Sequence, residues 1–423
     1  MRHHPSSLAA RNRSRSIGLA VLLTVSLVGA APVAAVQPAG QADPAVITNW
    51  NEIAAATIPA NPAAFLNYAV VHLAMYNAVV GITREYELYK WDVDGPRKAS
   101  PEAAAAVAAH RVLKTYFGGA AANLDAELAA SLAAVPDGVR KDQGVRYGRL
   151  AADRIIALRA NDGRGAAVTV PTADAAGEWR PTPPAFAPMA VPWLGGVTPL
   201  ALDSLTQFDP GAPPAIGTDL YRAELEEVRL IGAADSPTRT TDQTTTARYF
   251  ADIPFGPMET GLRDVATRYA LDISDSARLF AATNTSVADA IGTAWNAKLK
   301  YLWWRPITAI REGHDDGDPA TVPVPDWTPL LTTPPYPEWP SGLCSVLGAI
   351  TTSLHHLTGQ VDVTIVSPSQ GGRHFSSKGQ LDQNCIDARV WSGIHFRTSD
   401  AVAIGIGTGV TNYVLDRYFV PTQ

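Results

Sequence analysis

The sequence predicts an all-α fold, a helical bundle with long Pro/Gly-rich connecting loops. Three observations carry this. Apolar residues recur at spacings of three and four from Phe65 to Val80, the period of a helix face. Alanine-rich stretches open at helix-start signals such as Ser100-Pro101-Glu102, with serine as cap and proline at the first helical position. The 33 prolines and 33 glycines gather between these stretches, and strand signals are few.

The elements follow in order. Arg2, Arg11, Arg13 and Arg15 precede an apolar run from Ile17 to Ala31, and Val33-Ala34-Ala35 offers small residues for cleavage. That run is too short to span a bilayer, so residues 1–35 read as a signal peptide. The expected location is secreted and extracellular, with no membrane attachment after signal removal. Residues 36–46 read as a flexible N-terminus, and 47–423 as a single large helical domain. Asn61-Pro62 opens a helix whose apolar face carries His72, read as a core histidine. Helices follow from 101 to about 117 and over roughly 121–134 and 138–160. The long loop 164–216 comes next. Helices resume near 217–232, 239–251, 260–273 and 275–302. A second proline-rich loop spans 313–340, then helices near 342–358, 378–393 and 399–418. Val361 to Val366 is the best strand candidate.

At 423 residues, 46% hydrophobic and 17% charged, the chain can bury a sizeable core. Lys+Arg 34 against Asp+Glu 40 leaves a net charge of −6, which argues against a nucleic-acid partner. In an exported protein the two cysteines, Cys344 and Cys385, are a possible disulfide.

Three clusters in 295–400 carry the chemistry. The first runs from Lys298 to Arg305-Pro306; a spacing of seven on a continuous helix sends both cations from one face. The second is Pro337-Glu338-Trp339-Pro340-Ser341-Gly342. It offers Ser341 as a helix cap and Gly342 as a bare amide at a helix N-terminus, a ready anion site. The third runs from Arg389 to His395; these converge if the helix ends near Gly393. Asp400 is placed to orient a ring nitrogen of His395. Guanidinium forks bind tetrahedral oxyanions bidentately, and lysine adds a point charge. Histidine can ligate a metal oxyanion or attack phosphorus. No Walker loop, HExxH, EF-hand or CxxC occurs. Asp315-Asp316-Gly317-Asp318 reads as a turn.

This arrangement resembles the vanadium-dependent haloperoxidase and type 2 phosphatidic-acid-phosphatase superfamily, in its secreted bacterial branch. The family pattern is K-x6-RP, PSGH and SR-x5-H. Lys298, Arg305 and Pro306 complete the first motif, and Ala388-Arg389 to His395 matches the third with alanine for serine. Segments such as Trp179 to Pro184 and Gly393-Ile394-His395-Phe396 widen the likeness. The resemblance implies an all-helical bundle and a vanadate cofactor, whose site phosphate also fits. Lys298, Arg305, Ser341, Gly342 and Arg389 would hold its equatorial oxygens, and His395 would be the apical vanadium ligand. Hydrogen peroxide and a halide or small organic substrate would be the partners of such a peroxidase. In a phosphatase, His395 would be the nucleophile.

One position departs from the pattern: Leu343 stands where PSGH has histidine. That histidine is expected to act as the acid–base group, worth roughly 10²- to 10⁴-fold in rate. A non-halogenating or inactive homologue is therefore a further reading. His355 and His356 lie about three helical turns away, and His314 and His374 in loops are the remaining substitutes, His374 first.

Overall fold

Helix α1 (Ala45–Thr57) begins where the sequence suggested a flexible tail, because Asp43 accepts the Ala45 amide and Trp50 and Ala54 are buried. The computed structural model describes residues 42–313 and 316–422, and the signal-like segment, most of the tail and His314 lie outside them. Helix α2 (Ala64–Thr83) is long and apolar enough to cross a bilayer, but it is buried almost throughout as a core helix. His72 sits within it, fully buried, stacked on Phe280 and bonded to Asn51, as a core histidine should be. Helices α3 (Pro101–Tyr116), α4 (Ala121–Ala133) and α5 (Val139–Leu158) follow, with α3 packed on both α2 and α5. Gly148 makes that last contact possible: a Cβ there would meet the Ala104 carbonyl at 2.2 Å.

The loop after α5 is ordered by buried charge. Asp289 accepts the amides of Leu200, Ala201 and Leu202, and Arg159 bonds Asp162 and the Thr198 carbonyl. Helices α6 (Asp219–Ile231), α7 (Thr241–Asp252) and α8 (Gly256–Arg268) lead to α9 (Ile273–Tyr301), the spine of the molecule. The sequence had placed the α8 start four residues late; Pro257 in its first turn marks the true one. Small residues along α9, among them Ala281, Ala288 and Ala294, let α2, α11 (Gly342–Thr358) and α13 (Arg397–Leu415) pack against it. A short α10 (Pro306–Arg311), too brief to show a period, was missed. Strands β1 (Val363–Ser367) and β2 (Gly371–Phe375) form an antiparallel hairpin, and α12 (Lys378–Trp391) completes the described elements. The described residues form one compact unit.

Candidate oxyanion site

Lys298 and Arg305 do not share a helix face. α9 stops at Leu302, which takes a left-handed conformation (φ 45°), and the chain reverses before Arg305. The segment before the Trp179 cluster pins this reversal. Trp179 donates to the Leu302 carbonyl at 2.6 Å, and Trp304 donates to the Gly177 carbonyl at 2.9 Å. The two cations therefore converge through a break in the helix. Lys298 is fully buried, and its ammonium donates to the carbonyls of Pro337 (2.6 Å), Glu338 (2.9 Å) and Pro340 (2.6 Å). An ammonium has three protons, so this lysine holds the proline loop in shape with all of them. Burial and the neighbouring Arg305 push its pKa well down.

Arg305, also fully buried, is held by two backbone carbonyls. Its Nε donates to the Tyr336 carbonyl (2.8 Å) and its Nη1 to the Ile394 carbonyl (2.8 Å), with the guanidinium 4.9 Å from the Tyr336 ring centre. Its Nη2 has no protein partner. Arg389 comes from the last turn of α12, and its buried Nε is likewise unpartnered. The helix ends two residues later, and Gly393 (φ 77°) turns the chain back. The expected convergence of Arg389 and His395 is met in this way.

His395 is 1% exposed, and its ring is oriented by Glu338. Nδ1 lies 2.8 Å from Glu338 Oε1, which also accepts the Phe396 amide at 3.1 Å. Nε2 lies 3.2 Å from Arg305 Nη1, a group that can only donate. Nε2 is therefore the acceptor and Nδ1 carries the proton. Burial and the charges of Arg305, Arg389 and Lys298 depress the His395 pKa, keeping the ring neutral with its lone pair on the cation side. Asp400 does not reach this ring. It lies beside Ser341 and Cys344, with Oδ1 3.5 Å from the Cys344 sulfur, because it sits in the first turn of α13, which begins at Arg397. Glu338 takes the orienting role. Its place inside the proline motif was the available signal, since a carboxylate among three cations is rarely idle.

Ser341 does not cap α11 with its side chain. Its hydroxyl is buried, faces Asp400 and forms no hydrogen bond of good geometry. Gly342 packs where a Cβ would lie 2.8 Å from the Trp295 ring. Burial raises the pKa of both Glu338 and Asp400. The unpartnered donors Arg305 Nη2, Arg389 Nε and Ser341 Oγ thus gather at the N-terminus of α11, opposite a histidine lone pair. Buried donors without partners cost about 1–3 kcal/mol each, and a tetrahedral oxyanion would satisfy them. The donor set fits vanadate or phosphate.

Leu343 is half-buried and lines the cleft that opens onto the cradle, beside Gly342 and Arg389. No described histidine replaces the missing one. His355 and His356 are exposed at the far end of α11, and His374 is on β2, exposed and paired with Asp362 at 3.2 Å. Cys344 and Cys385, both fully buried and not bridged in this structure, face each other with sulfurs 2.7 Å apart. Asp318, from the acidic turn, pairs with Arg222, and no metal-binding cluster of His, Cys, Asp and Glu occurs among the described residues.

The chain resembles known proteins in part of its sequence and in its fold. Residues 278–421, which contain every residue of the cradle, match the family description "VCPO second helical-bundle domain". Over these residues the chain resembles the vanadium haloperoxidases. A vanadium chloroperoxidase of Curvularia inaequalis is 32% identical over 83 residues, 18% of this chain. That match spans only 14% of that protein's length. A bacterial vanadium-dependent iodoperoxidase structure superimposes with a TM-score of 0.77 at 23% identity, covering 90% of this chain and 96% of that one. A holo-type bacterial vanadium-dependent chloroperoxidase gives 0.71 at 17% identity, covering 89% and 97%. At these identities the haloperoxidase likeness outside 278–421 speaks for the fold.

Proposed function

We propose that this chain binds vanadate, with phosphate as a competitor, and acts as a weak peroxidase of the haloperoxidase type. The observation that carries the reading is the set of buried, unpartnered donors (Arg305 Nη2, Arg389 Nε and Ser341 Oγ) facing the acceptor lone pair of His395. Those residues, with the amides of Gly342 and Leu343, would hold the oxyanion, and His395 Nε2 would ligate it. Lys298 contributes charge and the shape of the loop. Bound vanadate would activate hydrogen peroxide toward a halide or small organic acceptor. Around it, Glu338 keeps the His395 proton on Nδ1, and the apolar wall excludes water and strengthens the charge pairing. No acid–base group stands at Leu343, so turnover is expected to be slow. Export and cleavage after Ala35, supported by the basic and apolar N-terminal pattern, complete the reading.

The test is a calorimetric titration of purified protein with vanadate, repeated in phosphate, followed by peroxide-dependent bromination of a simple acceptor with an unloaded control. Saturable vanadate uptake displaced by phosphate supports the cradle; no uptake ends the proposal. Uptake without bromination selects the non-halogenating reading, which Leu343 favours. Trapping of a phosphohistidine from an activated aryl phosphate would instead select hydrolysis with His395 as nucleophile.

A further inference from the structure

Two buried thiols take no part in oxyanion binding, yet both sit on the helices that form the cradle. Cys344 lies in the first turn of α11, two positions after Gly342. Cys385 lies in α12, one helical turn before Arg389. Both side chains are fully buried, and their sulfurs face each other at 2.7 Å. Each helix thus carries a cysteine and, within a turn of it, a part of the anion site. On α11 that part is the N-terminal amides; on α12 it is a guanidinium. Facing sulfurs need little movement to bond.

The contact between α11 and α12 is tied at two levels. Away from the site, the Thr351 hydroxyl donates to Asp382 at 2.7 Å and accepts from Lys378 at 3.0 Å. About two turns nearer the cradle, the cysteine pair makes the contact. The Cys344 sulfur is also 3.5 Å from Asp400 Oδ1, and the Asp400 carboxyl faces the Ser341 hydroxyl. The pair therefore lies one contact away from a donor of the cradle. Arg389 is repelled by the neighbouring Arg305, which pushes the end of α12 outward. A covalent bond one turn from Arg389 resists that push; two thiols in contact do so far less.

We propose that the Cys344–Cys385 pair is a redox switch for the oxyanion cradle. Bridged, it fixes the α11 N-terminus against the Arg389 helix, and the preorganised cradle binds its anion more tightly. Reduced, it lets the two helix ends separate, and the anion binds less tightly. This switch rests on the cradle reading above and adds the regulation of that site. Closure joins the two sulfurs and gives up two protons and two electrons. The electrons pass to a disulfide oxidant such as oxidised glutathione, which is split into two thiols. Both sulfurs are shut from solvent, so the exchange runs while the chain folds or when the α11–α12 contact opens. The coupling is reciprocal: an anion that prefers the bridged form lowers the reduction potential of the pair.

The experiment titrates inorganic phosphate by calorimetry into the purified chain after equilibration with oxidised or reduced glutathione. Alkylation and mass spectrometry read the thiol state of each sample. The bridged form is expected to bind about 5- to 10-fold more tightly, at the lower end of coupling between two sites. Saturating phosphate should then lower the midpoint potential of the pair by about 20–30 mV, since tenfold is about 30 mV for a two-electron couple. Cys385→Ala keeps Cys344 beside Asp400 and should bind at the dithiol level in both buffers, with circular dichroism checking the fold. The potential shift is read on the parent chain and decides the matter even where that variant does not fold. A pair that stays reduced in oxidised glutathione, or equal affinities in the two forms, would overturn the switch and leave the cradle intact. A Cys385→Ala protein that still responds to the buffer would overturn it too. Failure of both forms to bind phosphate would remove the cradle and the switch together.

Discussion

Replacing Glu338 with alanine tests the logic of the site most directly. In the folded protein one carboxylate oxygen takes two buried protons, from His395 Nδ1 at 2.8 Å and from the Phe396 amide at 3.1 Å. Alanine leaves both donors without partners, at about 1–3 kcal/mol each. Part of that loss is returned, because the buried carboxyl no longer has to be desolvated. A net destabilisation of about 2 kcal/mol is therefore expected. The larger effect is on the ring. Without Glu338 only the Arg305 Nη1 contact at 3.2 Å still favours the Nδ1–H tautomer, and a proton on Nε2 would face Arg305 and occupy the lone pair needed by an oxyanion. Loss of such a partner behind a ligating histidine costs roughly 10- to 100-fold in affinity. Glu338→Gln keeps an acceptor but loses charge assistance, so a smaller loss, about three- to tenfold, is expected. The assay is vanadate titration calorimetry with thermal unfolding on the same samples and nitrogen-15 spectra of the His395 ring. A folded Glu338→Ala protein with unchanged vanadate affinity and an unchanged tautomer would refute the reasoning.

Four further outcomes follow from the same structure. Leu343→His should raise peroxide-dependent bromination by vanadate-loaded protein on the order of 10²-fold, and an unchanged rate with intact binding would show that the missing acid is not limiting. Gly393→Ala places a Cβ 2.4 Å from the Gly232 carbonyl in a left-handed backbone, so it should cost at least about 2 kcal/mol in denaturant melts and weaken oxyanion binding with it. We propose that the facing Cys344 and Cys385 form a disulfide in the exported protein. Non-reducing mass spectrometry should then show a loss of two hydrogens, and bridging residues 41 apart should be worth about 4 kcal/mol of stability. Glu259 is buried among Asn51 and Asn284, and burial raises its pKa to about 7. Its stabilising contribution is full below the unfolded value near 4.5 and is lost as pH rises through 7, by roughly 3 kcal/mol. Glu259→Gln should therefore gain stability over the parent between pH 5 and pH 8, read from urea midpoints. His72, lowered by burial to about 3, works in the opposite direction, between pH 6.5 and pH 3.

Helices with a long apolar period were legible residue by residue. α5 and α12 fall within two residues of the bounds read from the sequence, because end signals such as Gly138 and Ser377 act locally. α1 and α10 were not: one begins behind a tail of Pro, Gly and Gln, and the other has six residues. The hairpin was half visible, since β1 is apolar by alternation while β2 is mostly exposed and polar. In the site, residue types and motif spacing identified Lys298, Arg305, Ser341, Arg389 and His395 as one group. They did so because oxyanion chemistry needs cations, a hydroxyl and an imidazole, and few other functions need all of them.

What the sequence by itself determined, then, is the inventory: the helices, the cations, the histidine and the leucine in place of an acid–base group. The tertiary structure alone decided who faces whom. It turned Lys298 onto three carbonyls, gave His395 to Glu338 and not to Asp400, and left Ser341 uncapped. The reason is physical. Each of those partnerships joins side chains to backbone or side-chain groups brought near by chain reversals at Leu302 and Gly393 and by the Pro337–Pro340 loop. A buried polar group takes the partner that packing puts within hydrogen-bond reach, and sequence distance carries no record of that choice.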